Sequence, residues 1–195
     1  MSSNDSLTEK IFVTGTGRCG TTLIIKIFSF VGLNTGWTLQ TYTDGIDKDC
    51  NAGMERPVMS RFTVLKNPIF INLVPNILEE CNRIKIKYMI VPIRDYVASA
   101  ESRKRHTDKG VKGGGFINGA TDIQSQVASY EKSMAKFMRD CTKYDVPTIF
   151  LDFDRMISDR KYVWTKLKPV FDDFKVSEEA FNAAYTIANE TSKPQ

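Results

Sequence analysis

The sequence predicts an α/β fold, a three-layer sandwich around a mostly parallel central sheet, and three observations predict it. Short apolar runs at 11–13, 84–93 and 147–152 have the length and make-up of buried strands. Longer stretches with helical spacing separate them, above all 121–144, where Ile123, Val127, Tyr130, Met134, Phe137 and Met138 share one face. A glycine-rich turn joins the first apolar run to a helix, as in a strand–loop–helix unit. Strands and helices in alternation imply parallel pairing through crossovers.

The chain has 195 residues, enough for one domain with a substantial core, and residues 1–9 read as a flexible polar tail. Apolar residues make up 42% and charged residues 26%, a globular balance, and the net charge of +4 suits an anionic ligand but is too mild to argue for nucleic acid. Cys19, Cys50, Cys81 and Cys141 form no CxxC pair, so no zinc site or disulfide framework is indicated and no metal is expected. The first ten residues lack the apolar core of a signal peptide, and no apolar run reaches the roughly 20 residues that cross a bilayer. A cytoplasmic protein with reduced thiols and no membrane partner is the expectation.

In chain order, Ile11–Val13 is followed by Gly15-Thr-Gly-Arg-Cys-Gly20 and a helix from Thr21. Glycines let the backbone approach an anion closely, and the unpaired N–H groups of a first helical turn point at it. The loop departs from the nucleotide triphosphatase pattern GxxxxGK[ST], because Thr21 stands in the lysine position, Thr22 follows, and the cation comes earlier, at Arg18. A cysteine phosphatase would need an arginine six residues after Cys19, where Ile25 stands.

Residues 32–54 read as a long loop, and 62–65 as a strand ending at Lys66. Open α/β sheets bind ligands beyond the carboxyl ends of their strands, so Lys66 falls on the rim that carries the glycine loop. Residues 69–82 are amphipathic, with Pro75 expected to break or kink the helix. The strand 84–93 runs into Arg94-Asp95, with Ser102 eight residues after the arginine, about two helical turns on. A guanidinium grips phosphate with parallel charge-assisted bonds, and Asp95 is placed to cap the next helix. The basic run 103–109 holds His106, the sole histidine, and a glycine-rich segment, 112–116, follows. After the strand 147–152, helices are expected at 159–171 and 177–189.

Gly-Arg-Cys-Gly-Thr-Thr at 17–22 resembles the 5′-phosphosulfate loop of the sulfotransferases, and Arg94 with Ser102 resembles their 3′-phosphate motif. Leu65-Lys-Asn-Pro-Ile-Phe70 is similar to a segment of the carbohydrate-type and bacterial members rather than the cytosolic phenol type. The resemblance implies a P-loop sulfotransferase-like fold and transfer of a sulfuryl group from 3′-phosphoadenosine 5′-phosphosulfate (PAPS) to a hydroxyl or amine of a small-molecule or carbohydrate acceptor. It implies that Gly17, Arg18, Cys19, Gly20, Thr21 and Thr22 hold the 5′-phosphosulfate and that Arg94 and Ser102 hold the 3′-phosphate. Arg18 and Lys66 would then stabilise the leaving oxygen. Glu55 lies where carbohydrate-type members place a glutamate base; an exposed glutamate paired with Arg56 or Lys66 is the plainer reading, and Asp44, Asp47, Asp49 and His106 are the other candidates. The family's late Arg-Lys-Gly contact is missing, which leaves Arg103 or Lys112 to supply it. Two rivals stand beside this reading. One is a P-loop kinase or nucleotide triphosphatase using Asp152 as its magnesium-holding acid, and the other is a non-catalytic nucleotide-binding protein.

Overall fold

The computed structural model describes residues 7–50, 52–79, 81, 83–111 and 114–192. Its centre is a sheet of order β4-β1-β5-β6 made from β1 (Thr8–Val13), β4 (Val64–Lys66), β5 (Ile84–Ile93) and β6 (Thr148–Asp152). All of its pairings are parallel. Val13 is level with Lys66 on one side and Ile90 on the other, so the carboxyl ends of these strands share a rim. A short antiparallel pair, β2 (Ile46–Asp47) with β3 (Ala52–Gly53), stands apart from the sheet.

Strand side chains alternate faces, which splits the core in two. Ile11, Val13, Val64, Ile90 and Leu151 face α1 (Thr21–Phe30), α5 (Phe153–Ser158), α6 (Arg160–Asp173) and α7 (Glu178–Glu190). Phe12, Leu65, Met89 and Val91 face α2 (Val74–Glu79), α4 (Ile123–Lys143) and the 3-10 turn Pro68–Asn72. Helix α3 (Tyr96–Asp108) lies beside α4, with Tyr96 and Tyr130 in ring contact at 5.7 Å. The three layers are those the sequence predicts.

Several elements differ from the sequence expectations. Thr8 and Glu9, read as tail, begin β1. The loop 32–54 contains a 3-10 turn, Tyr42–Gly45, and the β2–β3 pair. Pro75 neither breaks nor kinks a helix, because it sits in the first turn of α2, where its missing N–H is no loss. Helix α5 is new; its six residues are too few to show a period.

Candidate active site

The glycine loop leaves β1 at Thr14, whose N–H donates to Ile90 O and whose hydroxyl donates to Pro68 O. Gly17 (φ 83°) and Gly20 (φ 92°) take left-handed conformations that favour glycine. Arg18 between them is also left-handed, at φ 59°, a local strain of the kind that collects at functional sites. Gly20 is the N-cap of α1 and no side chain caps it, so the first-turn amides keep their affinity for an anion. Thr21 is buried and Thr22 partly so, and a β-carbon on Gly20 would strike Met156 at 2.3 Å. The loop is thus packed between β5 and α5 with no room for a larger residue at its turn.

Three guanidinium groups surround this loop. Arg18 Nε donates to Ser102 Oγ at 3.2 Å, and its Nη1 donates to the Cys50 carbonyl. Arg94 Nη1 donates to the Arg18 carbonyl at 3.2 Å, with its guanidinium 4.6 Å above the Phe153 ring. Arg103 donates through Nε to Tyr130 Oη at 2.6 Å, through Nη1 to Gly115 O at 2.7 Å and through Nη2 to Thr16 O at 3.4 Å. Among the described residues none of the three is in an ion pair with a carboxylate. Burial lowers the Arg18 pKa, and the positive charges of Arg103 and Arg94 push the same way. Uncompensated cations at one helix N-terminus make a site for a multiply charged anion.

The second centre is Lys66, at the end of β4. Its ammonium is buried and donates to Gly53 O at 2.8 Å and to the Glu55 carboxylate. Residues 53–56 wrap it on a third side too, because Arg56 N donates to Lys66 O at 2.9 Å. Burial holds the Lys66 pKa below the ordinary lysine value, outweighing the opposite pull of Glu55. Glu55 itself remains 40% exposed in its side chain, so the carboxylate reaches from the buried ammonium to the open rim. The Arg56 guanidinium is layered between Trp37 at 4.1 Å and Phe62 at 4.8 Å, which anchors this wrap.

The Arg18 guanidinium lies on Ser102 and the Cys50 carbonyl, with Arg94 on the Arg18 carbonyl. Cys19 is fully buried within the loop, and burial raises its thiol pKa. Asp44, Asp47 and Asp49 are exposed, and Asp47 accepts from the Asp49 N–H. His106 Nδ1 bonds the Ser102 carbonyl at 2.6 Å, one turn along α3. Asp152 caps α5 by accepting from Arg155 N. Lys112 lies outside the described residues. Sequence reasoning missed Tyr130, Phe153 and Cys50 as parts of the site; nothing local marks them, since they act through a core hydroxyl, a ring face and a carbonyl.

The fold is α/β, with a central four-stranded parallel sheet flanked by helices, and is sulfotransferase-like. The chain is similar to the sulfotransferase domain from the curacin biosynthetic pathway, with a TM-score of 0.55 and 13% sequence identity. The match covers 92% of this chain and 78% of that domain. No family model matches the chain, and no curated protein matches it in sequence. Among the described residues no helix is long and apolar enough to cross a membrane.

Proposed function

We propose that this protein is a sulfotransferase that takes a sulfuryl group from PAPS and passes it to a hydroxyl or amine acceptor. The observation that carries this reading is the cluster of Arg18, Arg94 and Arg103, without a carboxylate partner, around a left-handed glycine loop. PAPS fits such a site, because its two phosphate-bearing ends match two groups of donors. The loop amides from Gly17 to Thr22 would hold the 5′-phosphosulfate, and Arg94, Ser102 and Arg18 the 3′-phosphate.

When bound, the cofactor supplies an activated sulfuryl group on a phosphate leaving oxygen. The residues of the chain do the rest. Glu55 takes the acceptor proton as the acceptor oxygen or nitrogen bonds to sulfur and the bond from sulfur to the bridging oxygen breaks. Lys66, placed against Glu55, carries positive charge to that departing oxygen, and its buried setting strengthens the interaction. Lys66 turning from Glu55 to the leaving oxygen frees the carboxylate for the acceptor proton. Against the nucleotide triphosphatase reading, Thr21 stands in the lysine position, and Asp152 Oδ1 caps α5. A small-molecule or carbohydrate acceptor reaches the site over the exposed edge of Glu55.

The test is thermal unfolding with adenosine 3′,5′-bisphosphate in EDTA. At a hundredfold excess over Kd the ligand should add about 2.7 kcal/mol of stability. Stabilisation by ATP with magnesium but not by the bisphosphate would overturn the reading.

A further inference from the structure

We propose that Arg103, which lies outside the loop and phosphate motifs, is a positioning residue that sets the phosphate loop for anions from behind. The inference rests on the sulfotransferase reading of the site. Arg103 is 6% exposed, and its three hydrogen bonds go to neutral oxygens on three separate segments: Tyr130 of α4, Gly115, and Thr16 of the loop. A staple that only joined segments would be served by a neutral donor, with no charge to desolvate. Here a full cation is buried, and it sits against Gly17 so closely that a β-carbon there would lie 2.2 Å from Nη2.

Two effects follow. The peptide between Thr16 and Gly17 is planar and trans, so turning the Thr16 carbonyl to Arg103 turns the Gly17 N–H the opposite way. There the Gly17 amide bears on the buried Cys19 thiol. Arg103 thus fixes the plane of the first loop peptide from one side while Cys19 holds it from the other. Its charge also acts through the loop: burial is the main cause of the lowered Arg18 pKa, and the Arg103 charge pushes the same way. Arg103 makes no contact with the ligand in this account.

Arg103→Gln keeps donors but removes the charge. Calorimetry with adenosine 3′,5′-bisphosphate should show affinity lower by about tenfold or more, with a shallower dependence on salt than the wild type. Arg103→Lys gives a second reading that survives if the Gln variant does not fold. A lysine there would lie near Arg18 of the loop and Tyr130 of α4, with His106 one turn further along α3. Burial and the like charges would lower its pKa, so bisphosphate affinity in this variant should fall as pH rises from 7 to 10 by several-fold more than in the wild type. Wild-type binding together with an unchanged salt dependence in Arg103→Gln, or an unchanged pH profile in Arg103→Lys, would overturn the role of Arg103 alone. Absence of bisphosphate binding by the wild type would overturn the sulfotransferase reading and this inference with it.

Discussion

Arg18 and Ser102, 84 residues apart in sequence, meet through a hydrogen bond of 3.2 Å from guanidinium to hydroxyl. The contact ties the glycine loop after β1 to the middle of α3, so the loop and the Arg94–Ser102 segment form one surface. Ser102 is buried, and its oxygen orients a guanidinium that has no carboxylate to orient it. Ser102→Ala should weaken adenosine 3′,5′-bisphosphate binding by about tenfold, the cost of a bond to a charged group. Adenosine 5′-phosphosulfate, which lacks the 3′-phosphate, should lose less than about threefold. Calorimetry with the two ligands measures both.

Arg94 should show the same selectivity more strongly. Its guanidinium is held over Phe153 and against the Arg18 carbonyl, with donors left for a bidentate phosphate contact. Arg94→Ala is expected to cost ten- to a hundredfold with the bisphosphate and to abolish the preference for a 3′-phosphate. Because Arg18 lies on Ser102, Arg18→Ala should also reduce that preference, in addition to weakening the 5′ site. Equal losses for both ligands in Arg94→Ala would count against the assignment.

Gly17→Ala tests the loop itself. A side chain there meets both a left-handed backbone and the Arg103 guanidinium. Strain of this kind costs about 1–3 kcal/mol, to be seen as a lower urea midpoint, and bisphosphate binding should be lost with it.

Glu55→Gln addresses the base. Turnover with any working acceptor should fall by roughly a hundredfold to ten-thousandfold, while bisphosphate affinity barely changes. The substitution also leaves the buried Lys66 ammonium without its carboxylate, so the Lys66 pKa should drop further, as read by the pH dependence of lysine modification. Near-normal turnover would return the search to the aspartates and His106.

Much of this site is legible in the sequence because its signals are local. The loop 15–22 and the pair Arg94–Ser102 stand out by their spacing and take their expected roles from the resemblance to sulfotransferases, and the strands that hold them are apolar runs with clear ends. Arg103 reads as the first of a basic run and, beside Lys112, as a stand-in for the absent Arg-Lys-Gly; its partners at 16, 115 and 130 come from three remote segments and leave no local mark. The β2–β3 pair has two residues per strand and shows no alternation. The contact of Arg18 with Ser102 comes with a left-handed φ at a non-glycine residue, which no composition rule reveals.

Lys26 offers a prediction about stability. It is a buried lysine on α1, bonded to Thr191 O at 2.9 Å and to Ser192 Oγ at 3.2 Å beyond the end of α7. Burial lowers its pKa from 10.5 to about 8. Between those pH values the unfolded chain holds a proton that the folded chain has released, so stability rises with pH there. Below pH 8 both states are protonated and the penalty of the buried charge is present in full. Lys26→Met should remove this component, so the wild type should gain stability relative to the variant between pH 8 and 10 in urea unfolding. A constant difference across that range would refute the assignment.

The packing of α7 against α1 also has a consequence for synthesis. The first helix is completed at Phe30, but the last one, which covers it, begins at Glu178, roughly 150 residues later. At about 5–20 residues per second, the ribosome needs about 7–30 s to bridge that interval. Throughout it, part of the apolar surface of α1 lacks its native cover. The strand β1 waits as well, since its partners β4 and β5 emerge far behind it, and such long-range closures are slow. The glycine loop therefore cannot be set until β4 and β5 have emerged to flank β1, and the cover of α1 by α7 comes last of all.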